Sequence, residues 1–346
     1  MQTIACFREP VKPEWLARLL APEAARAVTH RDIQVPAYTR GELLLPGWEM
    51  SGEAFHDALD ELAGLGLLQR ANDTYAMHGL VREYFLRESQ QDAPVLHERL
   101  YRLYAAVIQP KWRPGGLEGL RPLYEAVHHG TQTARHGKTL YRETFEDVYI
   151  RRILRGMEAK EGGFYSMKKL GAFDADLKAL AGFFQGDWGK PIPGLPAPYQ
   201  GFLLNQAAFA LRALGRLHAA LAPIRIGLEM LLKQADWENA AKNANNLSDL
   251  ELLLGRIAAT IADAEQSVTH AERSEEAFER LSNRTTQADA LHQAGEAQAA
   301  RALFIDAEAI PGRRPTPNPA PLFAPGLPVS RAAAGGGRAR GVAGMG

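Results

Sequence analysis

Leu214-Gly215-Arg216 recurs as Leu254-Gly255-Arg256 and again, degraded, as Ala294-Gly295-Glu296. The glycines fall 40 residues apart each time (215, 255, 295). Small residues precede them by seven positions (Ala208, Ser248, Ala288) and follow them by five (Ala220, Thr260, Ala300). The pattern predicts helix, glycine-containing turn, helix, with small side chains where two helices approach closely. A fixed period of this size marks a helical solenoid, whose units bury their apolar faces only by stacking on neighbours.

Apolar residues fill in the helices at helical spacing. Leu204, Ala208, Leu211, Leu214 and Leu217 face one way in the first unit, answered by Ala220, Ile224 and Leu228. Leu247, Leu250, Leu254 and Ile257 repeat that face, with Ile261, Ala264 and Val268 on the second helix of the pair. The third unit is weaker, with Leu291, Ala294, Ala300, Leu303 and Phe304. The pattern resembles tetratricopeptide repeats (TPR), in a version longer than the usual unit of about 34 residues. Asn243, Asn245, Asn246 and Asp249 stand out as polar residues on a helix that otherwise packs. In repeats that bind peptides, such side chains grip a backbone from the concave face; the alternative is ordinary solvent exposure.

Upstream, Gly186 to Pro198 is a connector rich in Pro and Gly, with Trp188 placed to pin it to neighbouring helices. Residues 140–156 and 166–184 predict helices, the second with Leu170, Phe173, Leu177, Leu180 and Phe184 on its apolar side. Ala134-Arg135-His136 reads as a degenerate turn lying close to two periods before Gly215, where an eroded start of the solenoid is expected. His128, His129 and His136 lack a carboxylate or cysteine at ligand spacing, so they read as partly exposed histidines at a helix end rather than a metal site. Beyond Glu308 no acidic residue occurs, and arginines accumulate among Pro, Gly and Ala. A disordered basic tail over 310–346, produced by a shifted reading frame, is the expectation there.

The first 92 residues read as a compact unit. Trp15, Leu16, Leu19 and Leu20 form a helical face. Ser51 caps a second helix carrying Phe55, Leu59, Leu62 and Leu65, and Gly66 stops it. Leu67 to Met77 predicts strand, turn, strand, and Leu80, Val81, Tyr84 and Phe85 open another amphipathic helix. Helix, helix, hairpin, helix is the order of a winged helix. Its recognition helix would be 52–65, which carries Glu53, Asp57, Asp60 and Glu61 and no Lys or Arg. Such a face repels phosphates, so nucleic acid is disfavoured as a partner.

Residues Tyr75-Ala76-Met77-His78-Gly79-Leu80-Val81-Arg82-Glu83-Tyr84-Phe85 resemble the segment after the wing in STAND-class signalling NTPases of the NB-ARC and NACHT type. There a Met-His-Asp-like motif closes the winged helix, and its histidine approaches the β-phosphate of bound ADP. The resemblance assigns that position to His78, with Gly79 where the family has aspartate. It implies a resting state held by ADP, an activating ligand bound by the repeats, and oligomerisation of the switch. The structural alternative is that His78 caps or packs the junction between hairpin and helix. The nucleotide domain itself is not found. The only Gly-Lys-Thr is Gly137-Lys138-Thr139, and Gln132 stands where a phosphate loop needs its first glycine. ADP or ATP is therefore expected only in the intact family architecture, on another domain or chain.

Composition agrees with a scaffold. Lys+Arg and Asp+Glu balance at 40 each, which gives no global pull toward nucleic acid or anionic membrane, and 46% apolar residues suffice for a sizeable core. The single cysteine, Cys6, excludes an intramolecular disulfide and suits a reducing cytoplasm. No HExxH, G-x-S-x-G or full phosphate loop is present, so no enzymatic activity is expected. The sequence thus predicts a mostly α protein: a small winged-helix domain (1–92), a degenerate helical region (93–198), and a TPR-like α-helical solenoid (199–309). Its expected function is that of a sensor and regulatory segment binding a protein or peptide, coupled to a nucleotide switch elsewhere. A free-standing TPR adaptor and a winged-helix transcription regulator with a repeat-type sensor are the alternatives.

Overall fold

A helix ends where its last carbonyls find partners, and a left-handed glycine supplies the geometry most simply. Gly215, Gly255 and Gly295 have φ of 72°, 72° and 87°. At the first, the Gly215 amide donates to the Arg212 carbonyl (3.0 Å) and the Arg216 amide to the Leu211 carbonyl (2.8 Å), a Schellman cap. The same two bonds recur as Gly255 to Leu252 with Arg256 to Glu251, and as Gly295 to His292 with Glu296 to Leu291. A Cβ at any of the three would meet nothing within 4 Å. Glycine is required there for its φ, not for space.

A computed structural model describes residues 1–21, 45, 47–88, 92–107, 116–134, 140–156 and 164–310. The breaks at Pro36, Gly41 and Pro46, most of the polar linker at 89–91, the turn around His136, the Gly-Lys-Thr tripeptide, and nearly all of the basic tail lie outside the described residues.

The chain opens with α1 (Gln2–Cys6), α2 (Pro13–Leu20) and α3 (Gly52–Gly64), followed by β1 (Leu68–Ala71), β2 (Thr74–Met77) and α4 (Gly79–Glu88). The strands are antiparallel with Ala71 opposite Thr74, so Asn72 and Asp73 make the turn; Asn72 takes φ 52°. Val11 adds an isolated bridge to Tyr75, exchanging two bonds of 2.8 Å. Ser51 caps α3 as expected, its Oγ accepting from the Ala54 amide at 3.2 Å. Two expectations fail here. Leu65 lies past the end of α3 and is 64% exposed, because the chain has already turned toward Gly66. Helix α4 forms but buries no residue; Leu80 and Tyr84 are 74% and 60% exposed.

The middle is helical and irregular. α5 (Ala93–Val107) and α6 (Gly116–Ala134) pack together, and α7 (Tyr141–Glu143) runs into a π-helical stretch, Thr144–Leu154. The single helix expected over 166–184 is divided: a π-helical turn, Tyr165–Lys169, is separated from α8 (Phe173–Ala181) by Gly171 at φ 65°. A left-handed residue cannot continue an α-helix, so the chain redirects there. Trp188 does pin the connector, its ring 5.1 Å from Phe184 with the Arg216 guanidinium 6.0 Å above it.

Three helix pairs follow: α9 (Ala197–Ala213) with α10 (Leu217–Lys233), α11 (Trp237–Leu253) with α12 (Ile257–Ser274), and α13 (Ala277–Gln293) with α14 (Ala297–Glu308). The small residues flanking each glycine, Ala208, Ser248, Ala288, Ala220, Thr260 and Ala300, are all buried. Ser248 Oγ donates to the Thr260 carbonyl at 2.9 Å, which fixes the close approach within the second pair. One buried apolar cluster runs from Ile4 to Leu250. Among the described residues past Leu250 the buried apolar ones are alanines alone, from Ala264 to Ala307. The third unit therefore has little apolar area to hold it.

Candidate interaction surface

The first helices of the pairs, α9, α11 and α13, form one layer joined by polar side chains. Asn243 Nδ2 donates to Asn205 Oδ1 at 2.6 Å between α11 and α9. Gly227 of α10 lies against that pair; a Cβ would come within 3.2 Å of Asn243 Nδ2 and 3.5 Å of Asn205 Oδ1. Arg212 reaches Asp249 at 3.5 Å, and Lys242 reaches Glu279 of α13 at 3.6 Å. Burial raises the carboxyl pKa values of Asp249 and Glu279, and the neighbouring Arg212 and Lys242 oppose it.

Asn243, Asn245 and Asn246, singled out from sequence, are thus buried, not solvated. Their helix sits between two others in the same layer. Asp249 is only half-covered. The structure adds Asn205 and Gln206 of α9, Asn283 of α13 and Glu251 of α11. Counting back from the turn glycines would have found two of these: Asn205 and Asn245 both lie ten residues before a glycine, Gln206 and Asn246 nine. Several of these amides keep polar atoms with no partner among the described residues: both side-chain atoms of Gln206, and the Oδ1 of Asn243, Asn245 and Asn283. Buried polar groups are ordinarily paired, by protein or by water.

Glu251 occupies the place of Leu211 and Leu291 in the other units and is fully buried. It is compensated by Arg225 of α10, and by Arg256 at 3.2 Å from the turn that follows. Trp237 at the start of α11 stacks on His270 of α12 (6.1 Å), with the Arg273 guanidinium 4.7 Å above its ring.

His78 stands exposed between β2 and α4, its Nδ1 accepting from the Leu80 amide at 3.4 Å. It therefore helps to cap the first turn of α4. Of the other histidines, His128 is partly exposed as expected, and His129 departs from expectation. His129 is fully buried, its Nδ1 2.8 Å from Nδ1 of His97 and its ring stacked 5.7 Å from Tyr104. Burial, then the nearby His128 and His97, push its pKa well below the ordinary value, so it is neutral. The sequence could not show this, because His97 comes from α5, 32 residues away. Among the described residues no group of three or more His, Cys, Asp or Glu is placed to hold a metal ion. Cys6 is buried and its thiol is pushed up to about 11 by desolvation, which leaves it inert as a nucleophile. No described helix is long and apolar enough to cross a membrane.

No family model matches the chain, and no curated protein matches it. Among solved structures, a STAND protein (signal transduction ATPase with numerous domains) with a tetratricopeptide repeat sensor, from Pyrococcus horikoshii, aligns with 88% of this chain and 49% of its own. The identity is 13% and the TM-score 0.26. The chain spans about half the length of that protein, and a likeness this slight decides neither fold nor function.

Proposed function

We propose that this chain is the sensor and regulatory segment of a STAND-type signalling protein, binding an extended protein or peptide partner along α9, α11 and α13. The observation that carries the reading is the stack of three helix pairs whose first helices form one layer lined by amide and carboxylate side chains, with Arg212 and Asp249 partly exposed on it. A partner's main chain offers both donors and acceptors, the complement such side chains need. Stacked repeats also make an extended surface of the kind that binds linear partners. In this reading the N-terminal unit is a winged helix that relays binding to a nucleotide switch on another domain or chain, with His78 facing the ADP phosphate. No catalysis is assigned to the chain itself. The acidic residues Glu53, Asp57, Asp60 and Glu61 are all exposed on α3, which disfavours the transcription-regulator alternative.

The test is fluorescence anisotropy with a labelled library of unstructured peptides. A hit should weaken by about tenfold in Asp249→Ala and in the double variant Asn245→Ala, Asn246→Ala, the range of one lost hydrogen bond to a charged or buried group. Circular dichroism of Asp249→Ala, whose side chain is half-exposed, should be unchanged. Binding indifferent to all three positions would defeat the proposal.

A further inference from the structure

A sizeable cleft lies away from the repeats, where the N-terminal segment meets α6 and α8. Its volume is about 640 Å³, within the range of small-molecule sites. Two contacts set its walls. Tyr124 of α6 donates to Asp176 of α8 at 2.8 Å, and a Cβ on Gly182 would come within 2.5 Å of Thr131 Oγ1. Residue numbers rise together along both helices, so α6 and α8 run side by side in the same direction. Asp176 is itself buried and held on its other oxygen by Ser166 Oγ at 2.6 Å, which makes this wall rigid.

The charges on the walls cancel. Arg8, Arg121 and Lys178 line the cleft together with Glu9, Glu125 and Asp174. Arg8 is committed to Glu125, which takes both its Nε and its Nη2 (3.0 and 2.6 Å). Among the described residues the other two cations make only exposed pairs on their own helices, Arg121 with Glu118 (3.0 Å) and Lys178 with Asp174 (2.7 Å). Such pairs contribute about 0–1 kcal/mol and exchange readily. Among the described residues no ion pair crosses from α6 to α8, although the register sets Arg121 near the level of Asp174, and Lys178 near that of Glu125. A ligand of one sign would meet as much repulsion as attraction. A ligand carrying both signs can satisfy both walls, and Leu117, Ala175 and the Tyr124 ring offer an apolar seat for the rest of it.

We propose that this cleft binds a small zwitterion bearing one ammonium and one carboxylate, as a free amino acid or a dipeptide does. The inference is independent of the repeats. It is tested by titrating the full chain, by calorimetry at millimolar concentrations, with leucine, phenylalanine and the dipeptide Leu-Leu. N-acetyl-leucine, which lacks the ammonium, and leucinamide, which lacks the carboxylate, serve as controls. We expect at least one zwitterion to bind, to lose about tenfold or more when either charge is removed, and to weaken similarly in Arg121→Ala and Lys178→Ala. Both side chains are exposed, so unchanged circular dichroism will show that the variants fold. Free amino acid binding without dipeptide binding, or the reverse, identifies the source. No heat with any zwitterion, or binding that survives both charge removals, would overturn the proposal.

Discussion

The repeats and the region before them solve the same problem, burying helices, by opposite means. Before residue 197 the core is made of large side chains: Tyr101, Phe145, Tyr149 and Phe183 are all fully buried, and Phe145 touches Tyr149, Phe183, Tyr199 and Phe202 edge-on or stacked at 5.0–6.3 Å. Within the repeats the close contacts are small residues, and neighbouring units are tied by amides and ion pairs. Each unit meets only its neighbours, so no aromatic hub can serve several helices at once. The difference teaches that the repeats are regular because their contacts are local, and the region before them is irregular because its core is shared.

The comparison can be broken at its hub. Phe145→Ala should cost about 3–5 kcal/mol, the usual range for emptying a buried aromatic site. Chemical denaturation should show one transition destabilised across the molecule, since α9 joins that core through Phe202. An equal effect confined to residues before 197 would show that the two regions unfold separately.

A second test compares Glu251 with its leucine counterparts. Arg225→Ala combined with Arg256→Ala leaves a buried carboxylate unpaired and should cost about 3 kcal/mol. Glu251→Leu restores the side chain found at 211 and 291 and should be neutral or stabilising. A large loss from Glu251→Leu would mean that the ion pairs, not volume, hold the second unit.

Asp176 sharpens the comparison through pH. Burial raises its carboxyl to about 7 against the hydrogen bonds from Ser166 and Tyr124. The folded state therefore holds this proton more tightly than the unfolded chain, whose value is about 3.9. Stability should fall as pH rises from about 4 to 7, by at most about 1.4 kcal/mol per pH unit, and then level off. Asp176→Asn should flatten that slope in denaturation curves, while the exposed pair partner Asp174→Asn should leave it intact.

The smallest effect belongs to the turns. Gly255→Ala meets no neighbour, so it should cost only the left-handed strain of about 1–2 kcal/mol. Hydrogen exchange should then show α13 and α14 opening first, in wild type and variant alike, because the apolar residues buried there are alanines.

What the sequence determined by itself is whatever depends on neighbours along the chain. The three glycine turns, the small residues beside them, the Ser51 cap and the Asn72-Asp73 turn are set within a few residues, and each was legible. Position relative to the glycines also carried part of the amide layer. The tertiary structure alone decided which polar residues are inside. Asn243 is buried because Asn205 and Gly227 come from two other helices, and His129 because His97 and Tyr104 close over it. Leu80 and Tyr84 show the reverse: their spacing predicts an apolar face, but no element of the described chain covers it. Periodicity specifies a face, and only the packed neighbours decide whether that face is a core.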